Sequence, residues 1–94
     1  MNNLRPATIT ILYDQNLAKI TGKKKETAVV NEGVNFLFFL LTIFQSYPKI
    51  KDQYPPGTLG LRVNGQPPND FTTLKNGDVF QLDAFFTPKP PPLN

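Results

Sequence analysis

Hydrophobic and polar residues alternate at the start of the chain, in the sequence ATITILY at residues 7–13. One face of this stretch is apolar, because Ile9, Ile11 and Tyr13 fall on the same side of an extended backbone. A period of two in β-branched residues predicts a half-buried strand. Residues 26–30, ETAVV, predict a second strand, which follows a polar turn and runs antiparallel to the first.

The hydrophobic pattern changes to a helical one in residues 36–46, FLFFLLTIFQS. Asn35 precedes this stretch and is a good N-cap, because its side chain can accept a hydrogen bond from an unpaired N–H of the first turn. Pro48 ends the helix, since proline also disfavours helical torsions at the residue before it. At about 100° per residue, the side chains that are predicted to face the core are Phe36, Phe39, Leu40, Ile43 and Tyr47.

The segment after the helix predicts a loop and then a strand. Residues 49–57 end in Tyr-Pro-Pro-Gly and predict the loop. Leucine and valine alternate in residues 58–63, which predicts a third strand. Asn64 and Gly65 are typical of a two-residue hairpin turn. The Gln-Pro-Pro sequence that follows allows only a short edge piece, because proline donates no ladder hydrogen bond.

The last strand is predicted over residues 79–86, with Phe80, Leu82 and Ala84 facing inward. We therefore expect an N-terminal extension at residues 1–6, one domain at residues 7–86 and a polyproline-type tail at residues 87–94. This order of elements predicts an α+β roll. Its mixed sheet of four to five strands carries one main helix on one face, and the last strand lies beside the first.

The composition of the 94 residues argues against an enzyme that acts alone. The chain has no cysteine, histidine or tryptophan. A thiolate nucleophile, a Cys/His zinc site and a Ser-His-Asp triad are therefore excluded, and the usual general base is missing. The five aspartates have no calcium-loop spacing. We expect no catalytic residue, no cofactor and no metal.

The absence of cysteine and the shortness of the most apolar run favour a cytoplasmic protein, and the charge bears on its partners. The net charge of +3 is modest, and the three lysines at residues 23–25 predict a solvated turn rather than a phosphate-binding patch. Nucleic acid is therefore not an expected partner. The most apolar run, residues 36–44, is shorter than the roughly 20 residues that span a bilayer.

Several short motifs occur in an order that resembles one protein family, the molybdopterin synthase small subunit. These motifs extend over residues 8–86 and comprise Leu12-Tyr13, Leu17, Ile20-Thr21-Gly22, Tyr47-Pro48, Val63-Asn64-Gly65 and Leu74-Lys75-Asn76-Gly77-Asp78. The resemblance implies a ubiquitin-like β-grasp fold of the MoaD/ThiS-like kind. In that family the chain ends in Gly-Gly, which a partner enzyme adenylates and converts to a thiocarboxylate or an isopeptide donor.

This chain departs from the family pattern at the position of the reactive tail. It has no Gly-Gly dipeptide, and PKPPPLN stands at residues 88–94. Proline rings would obstruct a narrow channel that closely fits a glycine backbone. We therefore expect a non-catalytic ubiquitin-like module that binds a protein partner or a second copy of itself. The alternative is a sulfur carrier or modifier that an adenylating enzyme activates at its C-terminus.

The helix carries more apolar side chains than one sheet can bury. A second stripe of Leu37, Leu41 and Phe44 lies about 100° from the predicted core stripe, and Phe38 is nearly opposite the core. Two interpretations of these extra apolar side chains remain open. In the first, residues 49–57 or the tail cover them. In the second, they form a contact surface, since large exposed apolar patches mark association sites. The predicted partner-binding residues are these four on the helix, together with Leu12 and Phe85 on the opposite face of the sheet.

Overall fold

The computed structural model describes residues 5–55 and 57–84 of the chain. Within these residues the elements follow one another as β1 (Pro6–Tyr13), α1 (Gln15–Thr21), β2 (Lys25–Asn31), α2 (Phe36–Ser46), α3 (Pro48–Gln53), β3 (Leu59–Val63) and β4 (Val79–Ala84). The predicted α+β class is confirmed. The proposed limits of the terminal extension and the tail remain predictions, because residues 1–4 and 85–94 lie outside the described residues.

The four strands form one mixed sheet with the order β2-β1-β4-β3. β1 pairs antiparallel with β2 and parallel with β4, so that Thr10 is opposite Val79 and Tyr13 is opposite Leu82. β3 pairs antiparallel with β4. The prediction that the last strand lies beside the first is therefore confirmed, and this parallel pair forms the centre of the sheet.

The core lies between one face of the sheet and the helices. Every second residue of β1 and β4 is buried, as the alternation predicts. Phe39 of α2 meets Phe80 of β4 edge to face, with 4.8 Å between the ring centroids. The largest fully buried side chains are Phe39, Phe80, Ile9, Leu17, Ile50, Leu74 and Leu82.

The limits predicted for the main helix are confirmed at both ends. The side chain of Asn35 accepts a hydrogen bond from the N–H of Leu37 at 2.8 Å. Phe36, Phe39 and Ile43 are buried in α2, as the core stripe predicts. Pro48 ends α2 and also begins α3, where its missing N–H needs no partner.

The predicted loop at residues 49–57 is wrong over its first part, which forms α3. Ile50 and Tyr54 lie four residues apart, so both side chains reach the core from the same side of this helix. A second short helix, α1, lies between the first strand and the lysine turn, where the sequence pattern predicts no regular element. It begins at the N-cap Asp14 and ends at Gly22, which has a left-handed φ of 82°.

The predicted hairpin turn after β3 is confirmed. Asn64 and Gly65 both have positive φ, at 54° and 83°. This is the conformation of the two-residue turns that match the twist of antiparallel strands. The edge piece predicted after the turn is limited to a single bridge between Val63 and Gln66.

Candidate partner-binding surface

Three of the residues predicted to bind a partner lie exposed on α2. Leu37 is 49% exposed, Leu41 50% and Phe38 68%, whereas Phe44 is half-buried. Leu37, Leu41 and Phe44 line one side of the helix, as their angular spacing predicts. Because α2 is capped and packed on the sheet, these side chains are held on a fixed backbone.

An apolar groove runs beside this stripe, between α2 on one side and α3 and β3 on the other. Its volume is about 470 Å³, and its lining includes Leu37, Leu41, Phe44, Tyr54, Leu59 and Leu61. A second hollow, of about 430 Å³, adjoins it and shares Leu41, Phe44 and Lys51. We call the two together the α2 groove. A depression with leucine and aromatic walls can shelter an apolar segment of another chain, or of this one, from water.

α3 shapes the groove without closing it. Ile50 and Tyr54 are buried under α3, and Tyr54 also forms part of the groove wall. The expectation that residues 49–57 cover the surplus apolar side chains is therefore wrong for Leu37 and Leu41, which keep about half of their surface exposed. The other expected cover, the tail, lies outside the described residues.

The exposed Phe71 is a further candidate that the sequence analysis missed. Its side chain is 88% exposed. The turn that presents it is held by hydrogen bonds: the side chain of Asn69 accepts from the N–H of Phe71 at 2.8 Å, and the side chain of Thr72 accepts from the N–H of Asn69 at 2.9 Å. Its sequence signal is one aromatic residue within a polar NDFTT segment.

The Phe71 turn is attached to the N-terminal end of α2. Asn35 donates a side-chain hydrogen bond to the carbonyl of Asp70 at 3.2 Å, and the N–H of Phe36 donates to the carbonyl of Thr72 at 3.1 Å. The fold therefore places Phe71 at the same end of α2 as Leu37 and Phe38, although the two segments are distant in the sequence.

Of the two remaining predicted residues, only Leu12 is among the described residues, and it does not join this surface. Leu12 is half-buried on the face of the sheet away from α2, with Gln81 as its cross-strand partner. Phe85 lies outside the described residues. A contact through this face of the sheet stays a prediction.

A polar cluster connects the other end of α2 to the sheet. The hydroxyls of Tyr13 and Tyr47 donate hydrogen bonds to the carboxylate of Glu26, Tyr47 at 3.0 Å, and the ammonium of Lys23 lies 3.3 Å from the same carboxylate. The rings of Tyr13 and Tyr47 meet edge to face, with 6.0 Å between centroids. One acceptor thus connects β1, β2 and the C-cap of α2.

The cluster shifts the pKa of three of its members. Burial raises the pKa of Glu26, but the hydrogen bonds from Tyr13, Tyr47 and Lys23 and the charge of Lys23 outweigh it and leave that pKa below its ordinary value. Burial and then the bond to the Glu26 carboxylate raise the pKa of Tyr13 far above its ordinary value. The hydrogen bond to Glu26 also raises the pKa of Lys23. Glu26 is therefore a stabilised carboxylate.

The described residues contain neither a metal-ligating cluster nor a membrane-spanning helix. Among the described residues, no three acidic or metal-ligating side chains lie close enough together to hold a metal ion. In the same part of the chain, no helix is long and apolar enough to cross a membrane.

The described architecture, a helix-covered mixed sheet with the first and last strands paired at its centre, is the ubiquitin-like β-grasp fold. The chain shares this fold with a protein described as molybdopterin converting factor subunit 1 from Pyrococcus furiosus. The TM-score is 0.74 at 20% identity, over 83% of this chain and 97% of that one. The resemblance to MoaD/ThiS-like β-grasp proteins is therefore confirmed at the level of the fold.

Two small archaeal modifier proteins give similar matches. The modifier protein 1 of Haloferax volcanii has a TM-score of 0.70 at 14% identity, over 82% of this chain and 95% of that one. The modifier protein 1 of Methanosarcina acetivorans has a TM-score of 0.67 at 18% identity, over 85% and 94%. No protein-family model and no curated protein matches the sequence.

Proposed function

We propose that this chain works as a cytoplasmic ubiquitin-like protein that acts while bound to a protein partner, with α2 as its contact surface. The observation that supports the proposal is the exposed apolar group on a rigid helix: Leu37, Phe38 and Leu41. Exposed apolar patches on a folded domain mark association sites, because their burial against a partner removes apolar surface from water. The chain itself supplies binding, not catalysis.

The comparisons favour the carrier or modifier form of this function over the non-catalytic module. The neighbours in H. volcanii and M. acetivorans are named modifier proteins, and the neighbour in P. furiosus is described as a converting factor subunit. In this form the partner is an adenylating enzyme, and the residues beyond β4 carry the reacting end.

The composition of the residues after β4 favours the second candidate, the non-catalytic module. Residues 85–94 read FFTPKPPPLN and contain no glycine. The family reaction needs small residues that let the backbone approach a nucleotide closely, and four prolines are poor substitutes for them. In this form the α2 surface binds a protein partner or a second copy without a covalent step.

One experiment separates the two forms. The full chain is incubated with an adenylating enzyme of the MoaD/ThiS-activating class and ATP, and its mass is measured together with its co-elution with that enzyme. A C-terminal adenylate or thiocarboxylate supports the carrier. An unchanged mass supports the module if the chain either binds that enzyme stably or forms a dimer in light scattering.

The contact surface is tested in the same assays with matched variants. Leu41→Asp places a charge on the exposed stripe of α2, and Val29→Asp does the same on β2, where Val29 is 69% exposed. We expect Leu41→Asp to lose the adenylation or the complex and Val29→Asp to retain it. Equal behaviour of the two variants, or a wild-type chain that is monomeric, unmodified and unbound, would contradict the proposal.

A further inference from the structure

We infer that two copies of this chain pair edge to edge through β2, in antiparallel orientation and in one defined register. β2 forms one end of the described sheet, and β1 is the one described strand that pairs with it. This pairing is continuous over all seven residues of β2, and the sequence KETAVVN contains no proline. Natural sheets usually protect an edge with a bulge, a proline or a covering element, because an open strand edge is a template for another strand.

The hydrogen bonds at the two ends of β2 show which of its residues face outward. The N–H of Tyr13 donates to the carbonyl of Lys24 at 2.9 Å, and the N–H of Glu32 donates to the carbonyl of Arg5 at 2.8 Å. In an antiparallel pair, residues that bond to the neighbouring strand alternate with residues that point away from it. The even-numbered residues of β2 therefore bond to β1, and the odd-numbered ones direct their backbone groups to the open edge: Lys25, Thr27, Val29 and Asn31.

One antiparallel register brings all of these outward residues opposite one another in two copies. It places Ala28 opposite Ala28 of the second copy, on a twofold axis, so that both copies present the same surface. Thr27 then lies opposite Val29, and the two can exchange both of their backbone hydrogen bonds. Lys25 lies opposite Asn31, whose N–H can donate to the Lys25 carbonyl. The carbonyl of Asn31 already accepts a hydrogen bond within its own turn.

The same register brings opposite charges together at both ends of the paired strands. Lys24 and Glu32 flank β2, are exposed, and have no ion-pair partner among the described residues. In this register Lys24 of each copy lies opposite Glu32 of the other, and unlike charges directly opposite one another stabilise a strand pair. A shift that keeps the same residues outward would place Glu32 opposite Gly22 or Glu26 instead. The charges therefore favour the register that pairs the backbone groups most completely.

The inference goes beyond the proposed function and does not depend on it. β2 and β3 are opposite ends of the described sheet, and β3 forms a wall of the α2 groove. A pair joined through β2 therefore leaves both α2 grooves open. A partner with two matching sites would bind such a pair more tightly than it binds a single chain, because its second contact is intramolecular.

Exchanged charges test the pairing together with its register. Sedimentation equilibrium of the full chain over a range of concentrations measures the dissociation constant of the dimer. We expect Lys24→Glu alone and Glu32→Lys alone each to raise this constant about tenfold or more, because each puts like charges opposite one another at both ends. A mixture of the two variants, and a chain that carries both substitutions, should regain the dimer, since every carboxylate at these positions then faces an ammonium.

A second pair of variants tests the backbone contact. Val29→Pro removes an N–H that faces the open edge and not β1, so the chain should fold but remain monomeric, and its amide NMR spectrum checks the fold. Val29→Thr is the matched control, because it keeps this N–H and a β-branched side chain, and it should dimerise as the wild type does. Val29→Asp also keeps the N–H, so it still serves as the control for contacts through α2.

The Leu41→Asp variant separates this inference from the proposed function. The β2 dimer should persist in Leu41→Asp, because that substitution leaves the β2 edge intact. A dimer that is lost in Leu41→Asp but unaffected by the charge variants would assign self-association to α2 and overturn the inference. Failure of the mixed charge variants to dimerise would refute the register. A wild-type chain that stays monomeric up to about 1 mM, the weak end of measurable affinities, would refute the pairing itself and leave the enzyme complex of the proposed function untouched.

Discussion

The carboxylate of Asp14 accepts a hydrogen bond from the N–H of Ala84, at 2.7 Å, across 70 positions of the sequence. Its other oxygen accepts from the N–H of Leu17 at 2.8 Å and caps α1. One side chain therefore fixes both the start of the first helix and the last residue of β4. It ties β4 to the start of α1, which follows β1 in the sequence.

We expect Asp14→Ala to lower the free energy of unfolding by about 2 kcal/mol, because an N-cap is worth about 1 kcal/mol and a hydrogen bond to a charged group somewhat more. Urea denaturation followed by circular dichroism measures the change. Asp14→Asn is the matched variant, since its one carbonyl oxygen can replace only one of the two acceptors. A smaller loss is expected for Asn than for Ala, and a wild-type stability in the Ala variant would contradict the role of this side chain.

The cluster around Glu26 predicts that the free energy of unfolding falls in acid. The folded state holds the pKa of Glu26 below the value of about 4.3 that is ordinary for an unfolded chain. As the pH falls, the unfolded chain therefore takes up this proton first, and the stabilisation is lost as the pH falls from about 5 through the folded-state pKa of Glu26. Urea denaturation of the wild type and of Glu26→Gln at a series of pH values measures it.

The comparison with Glu26→Gln removes the contribution of the other carboxyl groups. We expect the wild type to be more stable by about 1 kcal/mol at neutral pH, since Gln keeps only part of the hydrogen bonding. This advantage should shrink toward zero in acid. Lys23→Ala is the control, because Lys23 is largely exposed and its loss should lower the neutral-pH stability less than Glu26→Gln does. An advantage that grew as the pH fell would refute the assignment.

Substitutions at Asn64 separate the cost of a positive φ from the loss of side-chain hydrogen bonds. Asn64 has a φ of 54°, and its side chain accepts from the N–H of Val79 and donates to Asp78, both at 2.9 Å. Asn64→Gly loses the two side-chain bonds but adopts positive φ without cost. Asn64→Ala loses the same bonds and adds about 1 kcal/mol of backbone strain. Thermal or urea unfolding should therefore rank Ala below Gly, and the reverse order would show that the turn does not require positive φ.

Phe71 and Leu74 lie only three residues apart, yet truncation should lower the stability strongly at Leu74 and hardly at all at Phe71. Leu74 is fully buried, so Leu74→Ala should cost about 2–5 kcal/mol of stability. Phe71 is 88% exposed, so Phe71→Ser should leave stability within about 0.5 kcal/mol of the wild type. If Phe71 belongs to the contact surface, its variant should instead weaken the complex measured in the adenylating-enzyme assay. A loss of stability similar to that of Leu74→Ala would show that Phe71 is part of the core.

The main helix was predictable from the sequence because its signals are local. Asn35 caps it, the 3.6-residue period fills it and Pro48 ends it. The short helices α1 and α3 are different, since isolated helices of six or seven residues are marginal in water. Leu17 and Ile50, buried in the core, stabilise them, and that burial depends on strands distant in the sequence. Pro48 was also ambiguous, because the same residue type ends one helix and begins another.

The candidate surface was predictable only in part, for the same reason. The angular positions of Leu37 and Leu41 follow from the helix period, so their common stripe could be derived from residues 36–46 alone. The groove beside them needs the positions of α3 and β3, which tertiary packing determines. The exposure of Phe71 depends on hydrogen bonds of Asn69 and Thr72 that no period in the sequence indicates.

The position of β4 has a consequence for how the chain folds as it is synthesised. Among the described strands this one is the last in sequence, yet it lies inside the sheet, between β1 and β3. The β1–β2 pair forms from near neighbours, but one side of β1 stays unpaired until residues 79–84 have left the ribosome. An unpaired strand edge invites wrong pairing. The nascent chain therefore carries its greatest risk of misassembly before β4 is available to pair with β1.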